Sequence, residues 1–327
     1  MKSTKFCIWP VLLGLTFIAF AHTSIRAQDQ NYPDRPIRLI VPFPPGGASA
    51  NIAQLLSQKL SISLGSPVVL DFKVGAGGMI AGELVAKAQP NGYTILFATG
   101  ALNINDVFRK TKRYDFGKDL VPIIEVAQAP FVMLVNPKSS AKNASDFAAL
   151  AKKAPGNLNF GSGGAGAVTH LAGELFKGAT STDIVHVPFN GEAPALAALM
   201  GGQVDVAFTT LAAASGQIAG KTLRPLGVLS SQRSALAPEV PTMTEQGIDV
   251  VASTWYALMA PAGTPVSILE RLQLEAAKTL ADEEIRTRIT GMGAVPSGGS
   301  TAKLKELIGV ERIRWKKLAE TSGITMD

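Results

Sequence analysis

Cysteine is almost absent from this sequence, and the single one, Cys7, lies in the apolar segment at the N-terminus. The rest of the chain therefore has no catalytic thiol, no disulfide and no thiolate ligand for a metal ion. Aromatic residues make up only 6% of the chain and charged residues 17%, a composition typical of a globular α/β protein. A chain of 327 residues is long enough to bury a stable hydrophobic core without cross-links.

Concentrated positive charge is also lacking. The formal net charge is +6, and half of it comes from Lys2, Lys5 and Arg26 in the N-terminal segment. The densest basic group after that segment, residues 109–113, has no interleaved aromatic side chains, so we interpret it as a solvated loop. This pattern excludes a nucleic-acid interface.

The N-terminus has the pattern of an export signal. Lys2 and Lys5 precede an apolar run, residues 6–20, that is short for a membrane span. Cleavage is expected either after Ala21, where Ala19 and Ala21 form the small-x-small pattern, or after Ala27, just before a polar start. An uncleaved anchor is the disfavoured alternative. No other segment of the sequence is long and apolar enough to cross a bilayer, so we expect an exported protein.

Strands, glycine-rich loops and helices alternate along the chain. A strand at 37–41, a proline- and glycine-rich loop and a helix capped by Ser49 begin the series. After an irregular stretch the series resumes with a strand at 131–135 and a helix capped by Ser145. The other expected strands are 68–72, 94–98, 158–160, 184–187, 204–208, 226–229, 250–252 and 256–260, and two or three helices follow from 266 to 321. The alternation predicts an α/β fold in which helices flank a parallel or mixed sheet.

The glycine-rich loop at residues 161–166 has the G-x-G-x-x-G spacing of a dinucleotide-binding turn. That function needs an acidic residue at the end of the next strand, whereas Asp183 lies at its beginning. The sequence contains no P-loop, no G-x-S-x-G nucleophile motif and no H-E-x-x-H metal motif, and His170 and His186 are interpreted as structural. Backbone N–H groups at the start of a helix suit an anion, so we interpret the loop as half of a carboxylate-binding cleft without metal or cofactor.

Eight segments, in order along the chain, match those of a known family: 40–47, 75–78, 90–94, 159–162, 170–174, 186–191, 201–205 and 260–265. Over essentially the whole mature chain they resemble the Bug family, the periplasmic receptors of tripartite tricarboxylate transporters. The resemblance implies a type II-like periplasmic binding protein with a ligand cleft between two α/β domains. Domain I is expected at residues 28–129 and 253–327 and domain II at 130–252, after a signal peptide at 1–27.

The resemblance also implies a function and a set of ligand-binding residues. The receptor is expected to be a monomer that closes on a small carboxylate by a hinge motion and delivers it to the membrane permease subunits. It would have no enzymatic activity. The first loop would contribute Phe43, Gly46, Gly47, Ala48 and Ser49, the second Ser162, Gly163, Gly164, Ala165, Gly166, Ala167 and Thr169, and the cleft walls Thr99, Gly100, Phe189, Asn190, Gly191 and Thr209.

Three positions depart from the family pattern. Ala50 and Thr209 stand where the family commonly has aspartate, and Met79 stands where asparagine is frequent. We therefore hypothesise that plain or aromatic carboxylates bind better than amino acids. The equally favoured alternative is that these three positions lie behind the ligand-contacting residues and tolerate substitution. The alternative functions are a secreted α/β hydrolase or isomerase and a ligand sensor for a signalling partner.

Overall fold

The computed structural model describes residues 32–45, 48–165, 167–189 and 191–322. The expected signal peptide and four of the expected ligand-binding residues, Gly46, Gly47, Gly166 and Asn190, lie outside these ranges. No helix in the described part of the chain has the length and apolar character needed to cross a membrane.

The described strands belong to one mixed sheet, and their bounds are β1 (Ile37–Val41), β2 (Val68–Phe72), β3 (Thr94–Thr99), β4 (Leu120–Val135), β5 (Asn159–Ser162), β6 (Val185–Pro188), β7 (Val206–Thr210), β8 (Arg224–Val228), β9 (Ser253–Pro261) and β10 (Val295–Pro296). They lie in the order β2-β1-β3-β9-β4-β7-β5-β6, and β8 and β10 also pair with β4. The neighbours of β1 and of β5 run parallel to them, whereas every partner of β4 is antiparallel. The sheet is therefore mixed, as the sequence predicts.

The helices flank this sheet. Their bounds are α1 (Ala48–Leu64), α2 (Met79–Ala86), α3 (Gly100–Phe108), α4 (Phe116–Asp119), α5 (Ala144–Lys153), α6 (Val168–Thr180), α7 (Glu192–Met200), α8 (Leu211–Ala219), α9 (Val266–Ala281), α10 (Glu283–Gly291) and α11 (Thr301–Ser322). Side-chain caps define several starts: the Asn143 side chain accepts from the Asp146 N–H before α5, and Asp282 accepts from two N–H groups of α10.

The long strand β4 connects two groups of elements. Its first part, up to Pro130, pairs with β9, and its last part, from Phe131, pairs with β7 and β8. Buried clusters around Phe97 and Trp255 cover the β1–β3–β9 side, and clusters around Phe160 and Leu134 cover the β5–β7 side. The β1–β3–β9 part of the sheet and the β5–β7 part thus have separate hydrophobic cores, and β4 contributes residues to both.

The C-terminal helix α11 lies against both groups. Trp315 is fully buried in a cluster with Ile104 and Phe108 of α3 and with Leu171 of α6. An Arg314 guanidinium N–H donates to the Val251 carbonyl, which adds a polar contact to this apolar one. Helix α11 therefore packs behind the helix that follows the second glycine-rich loop.

Several sequence predictions of local structure are wrong. Residues 250–252 form no strand: Val250 and Ala252 are buried against the β5–β7 side, and the Ala252 N–H donates to the carbonyl of Leu229, just after the end of β8. The stretch before residue 131 is regular, since β4 begins at Leu120. Ser49 and Ser145 lie inside α1 and α5 instead of capping them. The cap of α5 is Asn143, whose amide oxygen binds a backbone N–H of the first turn.

Candidate functional site

A cleft of about 680 Å³ lies between the two groups of elements. Phe43, Ser49 and Tyr256 line it from the β1–β3–β9 side, and Gly163 and Thr169 line it from the β5–β7 side. In the described residues, the cleft is thus bounded by both of the glycine-rich loops that the sequence identifies.

Six of the expected ligand-binding residues line this cleft: Phe43, Ser49, Gly163, Ala167, Thr169 and Gly191. Ser49 is the second residue of α1, and its side chain is 9% exposed. Its hydroxyl oxygen finds no hydrogen-bond partner among the described residues. A buried hydroxyl without a partner is unfavourable, so Ser49 offers a donor to a bound molecule.

Thr99 and Gly100 lie at the junction of β3 and α3, beside the cleft. The Thr99 hydroxyl is buried, and like that of Ser49 it finds no partner in the described part of the chain. Thr99 pairs in register with Tyr256, a cleft residue. A β-carbon at Gly100 would lie 3.3 Å from the Trp255 indole nitrogen, so glycine allows the start of α3 to lie close to that ring.

The second loop uses several of its own N–H groups. The Gly163 N–H donates to the Thr169 hydroxyl over 2.9 Å, and the Gly164 N–H donates to the Ser162 hydroxyl over 3.2 Å. The Ala167 N–H donates to the Gly164 carbonyl. These bonds fix the shape of the loop. Because the Thr169 oxygen accepts from the Gly163 N–H, the proton of the Thr169 hydroxyl is left to donate to another acceptor.

Besides Thr99, Gly100 and Ser162, four more expected residues do not line the cleft: Thr209, Phe189, Ala165 and Gly164. Thr209 is buried in β7, and its hydroxyl donates to the Thr210 carbonyl. Phe189 packs towards Gly161, Ala165 is exposed, and the Gly164 backbone lies close to the Phe189 carbonyl.

Ser162 lies beneath the loop instead of facing the ligand space. Its hydroxyl is 2.7 Å from the Nε2 atom of His186, and the side chain is completely buried. The ring of His186 stacks on that of His170 at 3.7 Å. Burial lowers the pKa of both histidines, and that of His186 falls to about 4, so the pair is neutral at pH 7. A serine held in this way supports the loop and is not presented as a nucleophile.

Comparison with known proteins identifies the family. The profile of the tripartite tricarboxylate transporter family receptor, TctC, matches residues 52–324. BugT of Bordetella pertussis is 35% identical over 310 residues, which cover 94% of this chain and 95% of BugT. This chain belongs to the TctC receptor family. The resemblance to the Bug family is confirmed, and the chain is a solute-binding receptor.

Solved structures agree with the TctC assignment. An R. palustris protein with adipate superposes with a TM-score of 0.75 at 31% identity, covering 90% of this chain and 99% of that one. MatC from Rhodopseudomonas palustris, with bound malate, superposes with a TM-score of 0.72 at 29% identity, covering 88% and 99%. The α/β fold expected from the sequence is thus the fold of periplasmic binding proteins.

Sequence reasoning missed several residues of this TctC receptor that line the cleft. They are Ala129, Phe131, Glu192, Thr210, Ala212, Thr254, Tyr256, Met292, Gly293 and Ala294. Most are apolar residues inside strands or next to helix ends, which a sequence pattern does not separate from core residues. Glu192 gave a usable signal, because it follows Gly191 as the first residue of a helix at a loop already assigned to the site.

Proposed function

We propose that this receptor captures a small carboxylate in the periplasm and delivers it to the membrane subunits of a tripartite tricarboxylate transporter. Two lobes, residues 28–129 with 253–327 and residues 130–252, close on the ligand. The receptor acts as a monomer, by binding and release without chemistry. The ligand contacts come from the two glycine-rich loops and from the hydroxyls beside them.

The convergence of helix N-termini on one cleft carries this proposal. Helices α1, α6, α7 and α8 all begin at the cleft, where Ser49, Ala167, Gly191 and Thr210 belong to their first residues or caps. The N-terminus of a helix carries a partial positive charge and unpaired N–H groups, which favour an anion. No lysine, arginine or histidine is present among the described residues that line the cleft. The helix dipoles and the hydroxyl groups of the cleft therefore supply the attraction for a carboxylate.

The pairing of the strands supports a hinge. Pro130 of β4 lies opposite Ser253 of β9 at the last step of their ladder, so the two expected crossings between the lobes are neighbours. Beyond this step β4 changes partners from β9 to β7. A small rotation at adjacent residues moves two rigid groups, as in other hinged binding proteins.

The ligands of related structures support the proposed size and charge of the ligand. The related structures hold adipate and malate, which are small dicarboxylates. The apolar walls formed by Phe43, Phe131 and Met292 suit the carbon skeleton of such a molecule.

A thermal-shift screen of mono-, di-, tri- and aromatic carboxylates tests the proposal, since a ligand of the folded state raises the Tm. Calorimetry then compares the best carboxylate with its uncharged amide. We expect Ser49→Ala to weaken binding about tenfold or more, because a hydrogen bond to a charged group is lost. Ser63→Ala, near the other end of α1, is the matched control. Equal binding of carboxylate and amide, or no carboxylate that raises the Tm, would contradict the proposal.

A further inference from the structure

Glu192 places a carboxylate in a cleft suited to an anion. It is the first residue of α7, and its Oε2 atom accepts from the Thr210 backbone N–H at 3.0 Å and from the Thr210 hydroxyl at 2.7 Å. Thr210 in turn caps α8 by accepting from the Ala213 N–H. Glu192 is thereby held rigidly at the end of β7, where it lines the cleft.

The position of this charge is unfavourable for a plain carboxylate. Glu192 is the one side chain of the Asp, Glu, Lys, Arg and His types among the described residues that line the cleft. Burial raises the pKa of its carboxyl, and the two hydrogen bonds from Thr210 oppose that rise by favouring the carboxylate. Like charges repel strongly in a partly buried site, so a bound carboxylate must keep its distance from Glu192 or present a proton donor to it. A carboxylate can accept about four hydrogen bonds, so the two from Thr210 leave capacity for a ligand donor.

Tyr256 stands on the opposite wall, at the paired end of β9. Burial, together with the negative charge of Glu192, raises the pKa of Tyr256 to about 12. The phenol therefore stays protonated at neutral pH and can itself donate to a ligand oxygen. The cleft combines an acceptor from one lobe with a donor from the other.

We propose that Glu192 is a specificity-determining residue that selects carboxylates bearing a second hydrogen-bond donor, a hydroxyl or an ammonium group. The donor group binds the Glu192 carboxylate while the ligand carboxylate lies at the helix N-termini. This inference rests on the proposed function, because it assigns the class of ligand for the same cleft. It also reverses the sequence-based hypothesis: Ala50 and Thr209 lack acids, but Glu192 supplies one from a different loop.

Two matched ligand series test the proposal by calorimetry. In the first, succinate, malate and aspartate differ only by H, OH or NH₃⁺ at one carbon. In the second, benzoate is compared with its hydroxy and amino derivatives. We expect a donor-bearing member of at least one series to bind about tenfold more tightly than its parent, as expected for one hydrogen bond to a charged group. The hydroxyl and ammonium arms show which donor is preferred.

Glu192→Gln separates ligand selection from a purely structural role. The glutamine oxygen keeps both bonds from Thr210, and its NH₂ group then replaces an acceptor with a donor. We expect the tenfold preference to fall to unity or below, while the parent compound binds no more weakly than before. The exposed Glu306→Gln is the control and leaves the ratio unchanged.

The outcomes distinguish this inference from the proposed function. If the parent carboxylates bind but the donor-bearing ones gain nothing, or if Glu192→Gln weakens all ligands equally, Glu192 only holds Thr210, the cap of α8, and the inference is wrong. If no carboxylate of either series or of the wider screen binds, the proposed function fails, and this inference fails with it.

Discussion

Gly293 meets Ala212 across the mouth of the cleft. Ala212 is the second residue of α8, and Gly293 follows α10 with a backbone φ of 77°. A β-carbon built at position 293 would overlap the β-carbon of Ala212. The two walls of the cleft therefore adopt this arrangement only with glycine at position 293.

We predict that Gly293→Ala weakens ligand binding, because the added methyl group prevents this close approach of the walls. Gly247→Ala is a matched control, since Gly247 has a φ of 76° and open space around its α-carbon. Both variants carry the same backbone strain, of order 1 kcal/mol, so they should lose similar stability. Calorimetry on the best carboxylate should show a tenfold or larger loss of affinity for Gly293→Ala only. Equal affinities would indicate that the contact does not belong to the ligand-bound form.

The stacked histidines beneath the second loop predict a loss of stability in acid. Burial and mutual repulsion lower the pKa of His186 from 6.5 to about 4, so the folded state favours the neutral ring. The stability that the protein gains from keeping this ring neutral is fully present above pH 6.5 and is lost as the pH falls from 6.5 towards 4. Between pH 7 and pH 5 the Tm of the wild type should therefore fall more than that of His186→Gln.

The lost Ser162–His186 bond lowers the stability of His186→Gln by a constant amount, since serine does not titrate in this range. The slope of Tm against pH is therefore the informative quantity. Parallel curves for the two proteins would exclude a stabilising role for the neutral pair.

The buried carboxyl of Glu311 leads us to predict the opposite dependence of stability on pH. The Trp255 indole N–H donates to Glu311 Oε2 at 2.6 Å, and burial raises the pKa of this carboxyl to about 7. The folded state thus holds the proton more tightly than the unfolded chain. Its stabilising effect is complete below pH 4.5 and is lost as the pH rises through 7.

We therefore expect the wild type to lose on the order of 3 kcal/mol of unfolding free energy relative to Glu311→Gln between pH 4.5 and pH 8. Chemical denaturation at several pH values measures the difference. Glu306→Gln, an exposed substitution on the same helix, should follow the wild type. A constant difference between Glu311→Gln and the wild type would show that Glu311 does not titrate in this range.

Local patterns identified most of the elements around the cleft. The apolar runs at β1, β2 and β3 and the glycine-rich loops before α1 and α6 are encoded within a few residues, so their places were predicted to within a residue or two. The early part of β4 was missed because Pro122 and Glu125 interrupt its apolar pattern. Pairing with β9 stabilises that part of the strand, and a partner more than a hundred residues away leaves no local signal.

The sequence by itself determined the α/β class, the two glycine-rich loops and the family, because periodicity, turn residues and ordered motifs are local properties of the chain. Only the tertiary structure decided which residues share the cleft. Glu192, Tyr256 and Gly293 lie far apart in sequence, and they meet because β4 and β9 bring the two groups of elements face to face. Side-chain burial and hydrogen bonding then give each its role, since both depend on neighbours supplied by the fold.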